Sequence, residues 1–372
     1  MKKVLIATDS FKESLSSLEV ADSIKVGLGD NFEYQVVPLA DGGEGTMELI
    51  TDIIGGNIIQ VESVDPLGRK IISRYGLSED NATAIIDVAS SSGIELLSES
   101  EKNPYKTSSY GTGLLIADAL DKGVSNIILG LGSSATVDLG FGMLEAIGAK
   151  FLNENNEPIT IKGESLRQVC DIDLGNINPN IYTTNFKIAC DVDNPLTGVN
   201  GSCHVFAKQK GATPEQIEQL ESDFIRIGKL INKKFRINLD EIPGSGAAGG
   251  IGGIAYAFLK GELTSGSDLI NNLNRVEEKV KEADIVITGE GKFDSQSLHG
   301  KGPMSIINLG LKYDKRIIVI CGSTENDIYT NSQVKDVSIF PTISKVDSLE
   351  NTLNNASKNI THVCTALSHL LR

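Results

Sequence analysis

The chain lacks the positive charge that binding to nucleic acid or to an anionic membrane requires. Its 34 Lys and Arg residues are outnumbered by 49 Asp and Glu residues, which gives a formal net charge of −15. Proteins that bind such polyanions need a basic surface to displace counterions. We therefore expect neither nucleic acid nor a membrane as a partner, whereas a small anion remains compatible with a local cluster of lysines.

Signals for export, membrane insertion and disulfide formation are also missing. The N-terminal "MKKVLIATDSF" predicts a first β-strand rather than a signal peptide, because acidic and turn residues follow the apolar stretch at once. No apolar run approaches the roughly 18 residues of a spanning helix. The five cysteines are odd in number, widely spaced and without a CxxC pair, so neither a disulfide framework nor a zinc site is expected. These features predict a cytoplasmic protein with mostly buried thiols.

Several common catalytic motifs are absent. The turn "DSFKES" after the first strand contains no glycine, so the GxGxxG fingerprint of nicotinamide dehydrogenases is missing. There is no GxxxxGK[ST] P-loop, and "GLGSSATVD" lacks the G-x-S-x-G pattern of a hydrolase elbow. The four histidines show no HExxH spacing. The sequence therefore argues against these three enzyme classes and against a histidine-bound metal.

The chain does contain a regular alternation of short apolar runs with helical patterns, which predicts an α/β fold with a doubly wound, mostly parallel, Rossmann-like sheet. Its length of 372 residues is sufficient for two domains. We predict a core domain from residues 1–56, 107–149 and 265–372. Its six strands would be "KVLIAT", "EYQVVPLA", "NIILGLG", "ADIVITG", "RIIVICG" and "VSIFP". Residues 57–106 and 150–264 would form an inserted second α/β domain, with a cleft between the two domains.

Polar turns, four of which contain glycine, follow five of the predicted strands. They are "DSFKES", "ADGGEGT", "GLGSSATVDLG", "GEGKFD" and "GST". Ligands bind beyond the carboxyl ends of the strands in an open parallel sheet, so we expect all five turns on one rim. Each turn alone is explained by helix caps and chain reversal, but together they also supply lysines and carboxylates.

This set of residues matches the needs of phosphoryl transfer. Glycine-rich turns at helix starts bind phosphate, lysines add positive charge, and carboxylates hold Mg²⁺ or accept a hydroxyl proton. We therefore predict phosphate or nucleotide contacts at these residues of the glycine-rich turns: Gly132, Ser133, Ser134, Thr136, Gly249, Gly250, Gly289 and Gly291.

The longer motifs resemble those of the bacterial glycerate kinase type I family. The matching segments are "IATDSFKESLSS", "PLADGGEGT", "DPLGR", "YGTGLLI", "GSSATVDLGFGML", "CDVDNPLTGVNG", "GSGAAGGIGG" and "GEGKFDSQSLHGKGP". They occur in order from the first strand to about Pro303. The resemblance implies ATP-dependent, Mg²⁺-requiring phosphorylation of D-glycerate by a two-domain α/β protein with its active site in the interdomain cleft. We expect the protein to be a monomer or homodimer. It is compatible with 2-phosphoglycerate, which we favour, or 3-phosphoglycerate as product.

The sequence departs from the pattern of similar sequences at a few positions. Glu13 stands where "DSFKGS" is common, and Val137 and Leu139 stand where "SATNDGG" is usual. Lys292 replaces a common arginine, which keeps the charge but gives up bidentate geometry.

Individual roles follow from these positions. Lys12 is expected to contact phosphate or the substrate carboxylate, and either Asp191 or Asp294 to accept the hydroxyl proton. Further residues with predicted ligand contacts are Asp9, Asp41, Lys292, Lys301 and Arg69 for the substrate, and Glu44, Asp193 and Glu290 for Mg²⁺. The alternative for the acids is a capping role at helix N-termini.

Two other functions remain open at this point. One is a kinase of the same fold that acts on another small hydroxy acid. The other is a non-catalytic sensor of a small anion, although no output element such as a basic helix-turn-helix is visible in the sequence.

Overall fold

A computed structural model describes residues 1–39, 46–295, 297–299, 302–343, 345 and 347–371. Within them the strands are β1 (Lys2–Thr8), β2 (Phe32–Pro38), β3 (Asn57–Val64), β4 (Lys70–Leu77), β5 (Thr83–Asp87), β6 (Asn126–Gly130), β7 (Lys150–Leu152), β8 (Asp171–Asp173), β9 (Asn185–Ala189), β10 (Glu262–Thr264), β11 (Ile285–Phe293), β12 (Arg316–Thr324) and β13 (Ser338–Pro341). The α-helices are α1 (Ser17–Leu28), α2 (Thr46–Ile53), α3 (Ala89–Ser92), α4 (Tyr110–Asp121), α5 (Phe141–Ala146), α6 (Ser202–Phe206), α7 (Pro214–Phe235), α8 (Ile251–Leu259), α9 (Gly266–Leu273), α10 (Val276–Glu282), α11 (Pro303–Lys312), α12 (Leu349–Asn354) and α13 (Ala356–Leu371).

The chain divides into two compact units. The first unit consists of Met1–Asp41 and Ser267–Arg372, and the second of Gly42–Gly266. Among the described residues, no helix has the length and apolarity to cross a membrane.

The first unit is built on a parallel five-stranded sheet with the order β13-β12-β11-β1-β2. Alternate residues of β1 lie in different cores: Val4 and Ile6 pack with α1 and α13, whereas Leu5 and Ala7 pack with α10 and α11. Helices therefore cover both faces, and this explains why the strands are almost continuously apolar. The doubly wound α/β prediction is confirmed for this unit.

Helix α1 begins where its sequence predicts a start. Ser16 is the N-cap, and a capping box joins it to Glu19, whose carboxylate accepts the Ser16 backbone N–H at 2.8 Å. The apolar face of the helix, which includes Val20 and Ile24, is buried against the sheet.

The second unit contains a six-stranded sheet with the order β10-β9-β6-β5-β4-β3. Strands β10, β9, β6 and β5 are parallel, and β4 and β3 complete the sheet in antiparallel fashion. The "DPLGR" segment joins β3 to β4 in a turn in which the Asp65 carboxylate accepts the backbone N–H groups of Leu67 and Arg69. A separate two-stranded ribbon pairs β7 with β8.

The predicted domain boundaries need correction. The segment "NIILGLG" forms β6, which lies between β5 and β9 of the second unit, and α2 packs against β4 and β5. Residues 42–56 and 107–149 therefore belong to the second unit, and the first sheet has five strands rather than six. The sequence of a buried parallel strand identifies it as a strand, but its hydrogen-bond partners are distant in the chain and leave no local signal.

The prediction of one common rim for five turns is wrong for the same reason. The turn "GLGSSATVDLG" follows β6 and so belongs to the second sheet, whereas "DSFKES" follows β1 and "GEGKFD" lies mostly within β11 of the first sheet.

Candidate functional site

Three acidic residues lie near one another at the carboxyl ends of β1 and β11, which are neighbours in the first sheet. Asp9 follows β1, Glu290 lies in β11, and Asp294 follows β11. The Asp9 backbone N–H donates to the Gly289 carbonyl at 2.9 Å, which ties the end of β1 to β11. The adjacency of the two strands thus brings together acids that are far apart in sequence.

Glu290 has a strongly shifted pKa. Burial raises the pKa of Glu290 to about 7; a hydrogen bond from Ser297 opposes the shift, and the charges of Asp9 and Asp294 add to it. Its Oε1 atom is buried and has no hydrogen-bond partner in the described part of the chain. A buried carboxylate oxygen without a donor is suited to bind a proton or a cation.

Mg²⁺ fits this position. The described residues contain no cluster of three or more potential protein ligands for a metal, but Mg²⁺ usually takes one or two carboxylates and completes its shell with phosphate oxygens and water. The free oxygen of Glu290 meets that requirement. Asp193, in the second unit, is exposed, and Glu44 lies outside the described residues.

Lys292 and Asp294 form an ion pair. The Lys292 Nζ lies 2.8 Å from Asp294 Oδ2 and 3.0 Å from Glu325 Oε1. Hydrogen bonds to these two carboxylates raise the pKa of Lys292. The Ser297 backbone N–H donates to Asp294 Oδ1 at 3.3 Å, so the Asp294 carboxylate is held in a defined orientation.

Lys12 contributes to a cavity of about 320 Å³ in the first unit, which we call the Lys12 cavity. Lys12 has no ion-pair or hydrogen-bond partner among the described residues. The backbone and polar lining includes Gly291, Lys292, Gly322 and Ser323. The apolar lining comes from these residues of the "DSFKES" turn and the last part of the chain: Phe11, Ile343, Leu349, Leu353 and Ala356.

The sequence analysis missed the apolar lining of this cavity. Leu349 and Leu353 lie on α12, and their spacing of four residues is typical of any amphipathic helix. Only their position beside the strand ends distinguishes them, and that position is a tertiary feature.

The predicted phosphate-binding turn "GLGSSAT" is only partly accessible. Ser134 and Thr136 are buried, and the buried Lys210 donates from Nζ to Ser134 Oγ at 2.7 Å and to the Thr136 carbonyl at 2.8 Å. Burial lowers the pKa of Lys210 to about 7, against the attraction of Asp138. Within this turn, Gly132 is partly exposed and Ser133 is exposed.

The glycines of "GSGAAGGIGG" have a packing role. Gly249 has φ +70°, and a Cβ atom there would lie 2.0 Å from the Thr136 carbonyl oxygen. Gly250 has φ +96° and would place a Cβ 2.9 Å from the Cα of Leu139. Both glycines are buried. The close approach to residues 136–139 accounts for both without any ligand.

Two further predicted residues also have structural partners. A Cβ at Gly289 would lie 1.7 Å from the Ile320 carbonyl oxygen of β12, so this glycine allows close strand pairing. The Arg69 guanidinium donates to Asp65, to Glu101 Oε1 at 2.6 Å and to the Leu96 carbonyl at 3.2 Å. All three nitrogens of the guanidinium therefore have protein partners.

In the second unit, Asp191 follows β9 and is exposed. Its Oδ1 accepts the Gly266 backbone N–H at 3.1 Å. Asp41 and Lys301 lie outside the described residues, as does the side chain of His299.

A second cavity, of about 380 Å³, was not predicted. It lies in the second unit between α2, β4 and the end of β5, and its lining includes Glu48, Arg74, Asp87 and Ser133. Asp87 Oδ2 accepts the Met47 backbone N–H at 3.2 Å. Burial raises the pKa of Asp87 to about 6. The sequence signal for this cavity is Asp87 in "TAIIDVAS", an acid that directly ends a strand. The strand pattern of this segment does not by itself predict a cavity.

Comparisons with known proteins identify the family to which the chain is similar. Residues 4–372 match the model of the glycerate kinase family. The chain is 40% identical over 361 residues to Glycerate 2-kinase of Escherichia coli (strain K12), covering 96% of this chain and 95% of that protein. It is 39% identical over 370 residues to Glycerate kinase of Halalkalibacterium halodurans, covering 97% of each.

A solved structure extends the comparison to the fold. The crystal structure of "putative glycerate kinase 2" from Salmonella typhimurium LT2 superposes with a TM-score of 0.88 at 40% identity, covering 100% of this chain and 98% of that chain.

The fold and the family match are those of an α/β kinase that transfers phosphate from ATP to an alcohol group. The chain belongs to the glycerate kinase family.

Proposed function

We propose that this protein phosphorylates D-glycerate with ATP and Mg²⁺ and forms 2-phosphoglycerate. The observation that carries the proposal is the buried Glu290 oxygen without a donor, beside Asp9 and Asp294 at the ends of β1 and β11. A kinase needs a cation-binding carboxylate where phosphate is transferred. The similarity to a protein named Glycerate 2-kinase supports D-glycerate as substrate and position 2 as acceptor.

The reaction requires one proton acceptor. The substrate hydroxyl oxygen forms a bond to the γ-phosphorus, its proton passes to a carboxylate, and the bond from the γ-phosphorus to the oxygen of departing ADP breaks. We propose Asp294 or Asp191 as that carboxylate. Asp294 is oriented by Ser297 and Lys292, and Asp191 by the Gly266 N–H. When bound, Mg²⁺ supplies charge neutralisation at the phosphates, and Glu290 is the residue that would hold it.

We propose that Asp9, Lys12 and Lys292 contact the substrate. Asp9 and Lys12 follow β1, and Lys292 lies near the end of its neighbour β11. Asp41, Lys301 and Glu44 keep proposed roles that rest on the sequence alone. Arg69 is a weaker candidate than the sequence indicated, because its N–H groups already have protein partners. We further propose a cytoplasmic location and a monomeric or homodimeric state.

The test is a coupled assay of ADP release with D-glycerate and a panel of other small hydroxy acids, with Mg²⁺ and with a chelator. The proposal requires ADP release with D-glycerate that depends on Mg²⁺. Release with another acid and not with D-glycerate would identify a different kinase. No release with any acid would favour a sensor of small anions.

A further inference from the structure

We propose that the nucleotide binds in the Lys12 cavity of the first unit, with its base against the apolar wall of Ile343, Leu349 and Leu353 and its phosphates near Lys12. This inference rests on the use of ATP by the family and does not depend on D-glycerate being the acceptor.

The position of the cavity in the sheet supports this assignment. Numbered in the order in which they follow one another in the first unit, the strands β1, β2, β11, β12 and β13 have the spatial order 2-1-3-4-5. In such sheets the connections diverge between the first and third strands, and ligands bind at the carboxyl ends at this switch point. Here those strands are β1 and β11. Lys12 follows β1 and Lys292 lies in β11, and both line the cavity.

The cavity has an apolar part, suited to the base of a nucleotide, and a positively charged residue, suited to its phosphates. Ile343, Leu349 and Leu353 offer apolar surface to a purine ring, and Leu349 is 72% exposed despite its size. Such exposure of a large apolar side chain beside a cavity is typical of a binding surface. Lys12 provides a positive charge that no described carboxylate neutralises.

Two glycines of the lining, Gly291 and Gly322, let the strand ends pack closely, and both remain partly exposed in the cavity. A Cβ at Gly322 would lie 2.5 Å from the Gly291 carbonyl oxygen, and a Cβ at Gly291 would lie 3.4 Å from the Lys12 backbone nitrogen. The ends of β1, β11 and β12 thus come close together with no side chain on Gly291 or Gly322. Bare backbone at strand ends is a recurrent feature of phosphate sites.

The alternative location predicted from sequence is less suited to a triphosphate. In "GLGSSAT" and "GSGAAGGIGG", the buried Ser134 holds Lys210, and Gly249 is packed against Thr136. The Ser134 hydroxyl and the space beside Gly249 are therefore occupied by contacts within the protein.

Isothermal titration of the full-length protein with ATP tests the assignment. We expect Lys12→Met to weaken ATP binding by about 10- to 100-fold, the loss typical of a charge-assisted contact. Leu349→Ser removes exposed apolar surface and is expected to weaken binding by about 3- to 10-fold without affecting the fold.

Matched controls come from α1 in the same unit. Lys25→Met removes an exposed lysine that pairs with Asp22, and Leu18→Ser removes a leucine that is 55% exposed. Both controls should bind ATP within about twofold of the wild type. Melting curves without ATP show whether each variant is folded.

The outcomes separate this inference from the proposed function. ATP affinity unchanged in both Lys12→Met and Leu349→Ser would overturn the nucleotide site, even if the wild type phosphorylates D-glycerate. Selective loss of ATP binding in these two variants would support the site, even if D-glycerate is not phosphorylated.

Discussion

The buried ammonium group of Lys210 donates a hydrogen bond to Ser134 Oγ at 2.7 Å. Ser134 is one of the residues that the sequence predicted to bind phosphate. The structure instead uses it, with the Thr136 carbonyl, to hold an internal lysine beneath the turn. The conformation of the turn therefore depends on hydrogen bonds from a titratable lysine.

Lys210 makes the stability of the protein depend on pH. The pKa of Lys210 in the folded protein is lowered to about 7, whereas a lysine in the unfolded chain has a pKa of about 10.4. Between these values the unfolded state binds more protons, so the free energy of unfolding should rise as pH increases from 7 to 10, by on the order of a few kcal/mol. Lys210→Met should lack this rise in urea denaturation. Lys208→Met, which changes an exposed neighbour, should retain it; equal slopes for wild type and Lys210→Met would contradict the burial account.

Glu13 has a backbone conformation that favours glycine. Its φ is +62°. A left-handed conformation costs a residue with a Cβ about 1 to 2 kcal/mol. We predict that Glu13→Gly is about 1 kcal/mol more stable than Glu13→Ala, which keeps the strain. Denaturation of both variants without nucleotide measures the difference, and an alanine variant as stable as the glycine variant would refute the strain.

Asp87 lowers stability at neutral pH. Burial raises its folded pKa to about 6, with a contribution from the charge of Glu48 that Arg74 opposes. The folded state therefore binds more protons than the unfolded state between about pH 4 and 6, and the penalty is complete above pH 6. We predict that Asp87→Asn raises the free energy of unfolding by about 1 to 3 kcal/mol at pH 7.5 and that this gain shrinks towards pH 4.

The exposed Asp52 on α2 supplies the control for that measurement. Asp52→Asn should change stability little and with no such pH dependence. A destabilised Asp87→Asn variant at pH 7.5 would show that the carboxylate is a structural requirement. A buried acid that destabilises the fold and faces a cavity is typical of a functional site.

The proposed proton acceptors are tested by amide substitution. Asp294→Asn or Asp191→Asn should lower kcat by about 10²- to 10⁴-fold if that residue accepts the proton, with little loss of stability. The variant of the residue that does not accept the proton should be affected less. Near-normal turnover in both would remove both residues from the mechanism.

The elements that could be predicted from sequence are those with local signals. The buried run of β1, the capping box of Ser16 and Glu19, and the turn at Asp65 each depend on residues close together in the chain. The sheet to which β6 belongs could not be predicted, because its partners β5 and β9 are set by distant pairing.

The same distinction applies to the site. Four candidate residues could be predicted from the sequence because they lie at or just after the ends of strands, where ligands bind: Lys12, Glu290, Lys292 and Asp294. The packing role of Gly249 depends on a carbonyl of a remote turn. A glycine that binds phosphate and one that touches another backbone have the same sequence signature.

The most direct test of the central claim is phosphorus NMR of the products formed from D-glycerate, ATP and Mg²⁺. Phosphate on carbon 2 couples to the one proton on that carbon, whereas phosphate on carbon 3 couples to two. We predict ADP together with a new phosphomonoester signal split into a doublet. A triplet would contradict 2-phosphoglycerate as product, and the absence of any new phosphomonoester would contradict glycerate kinase activity.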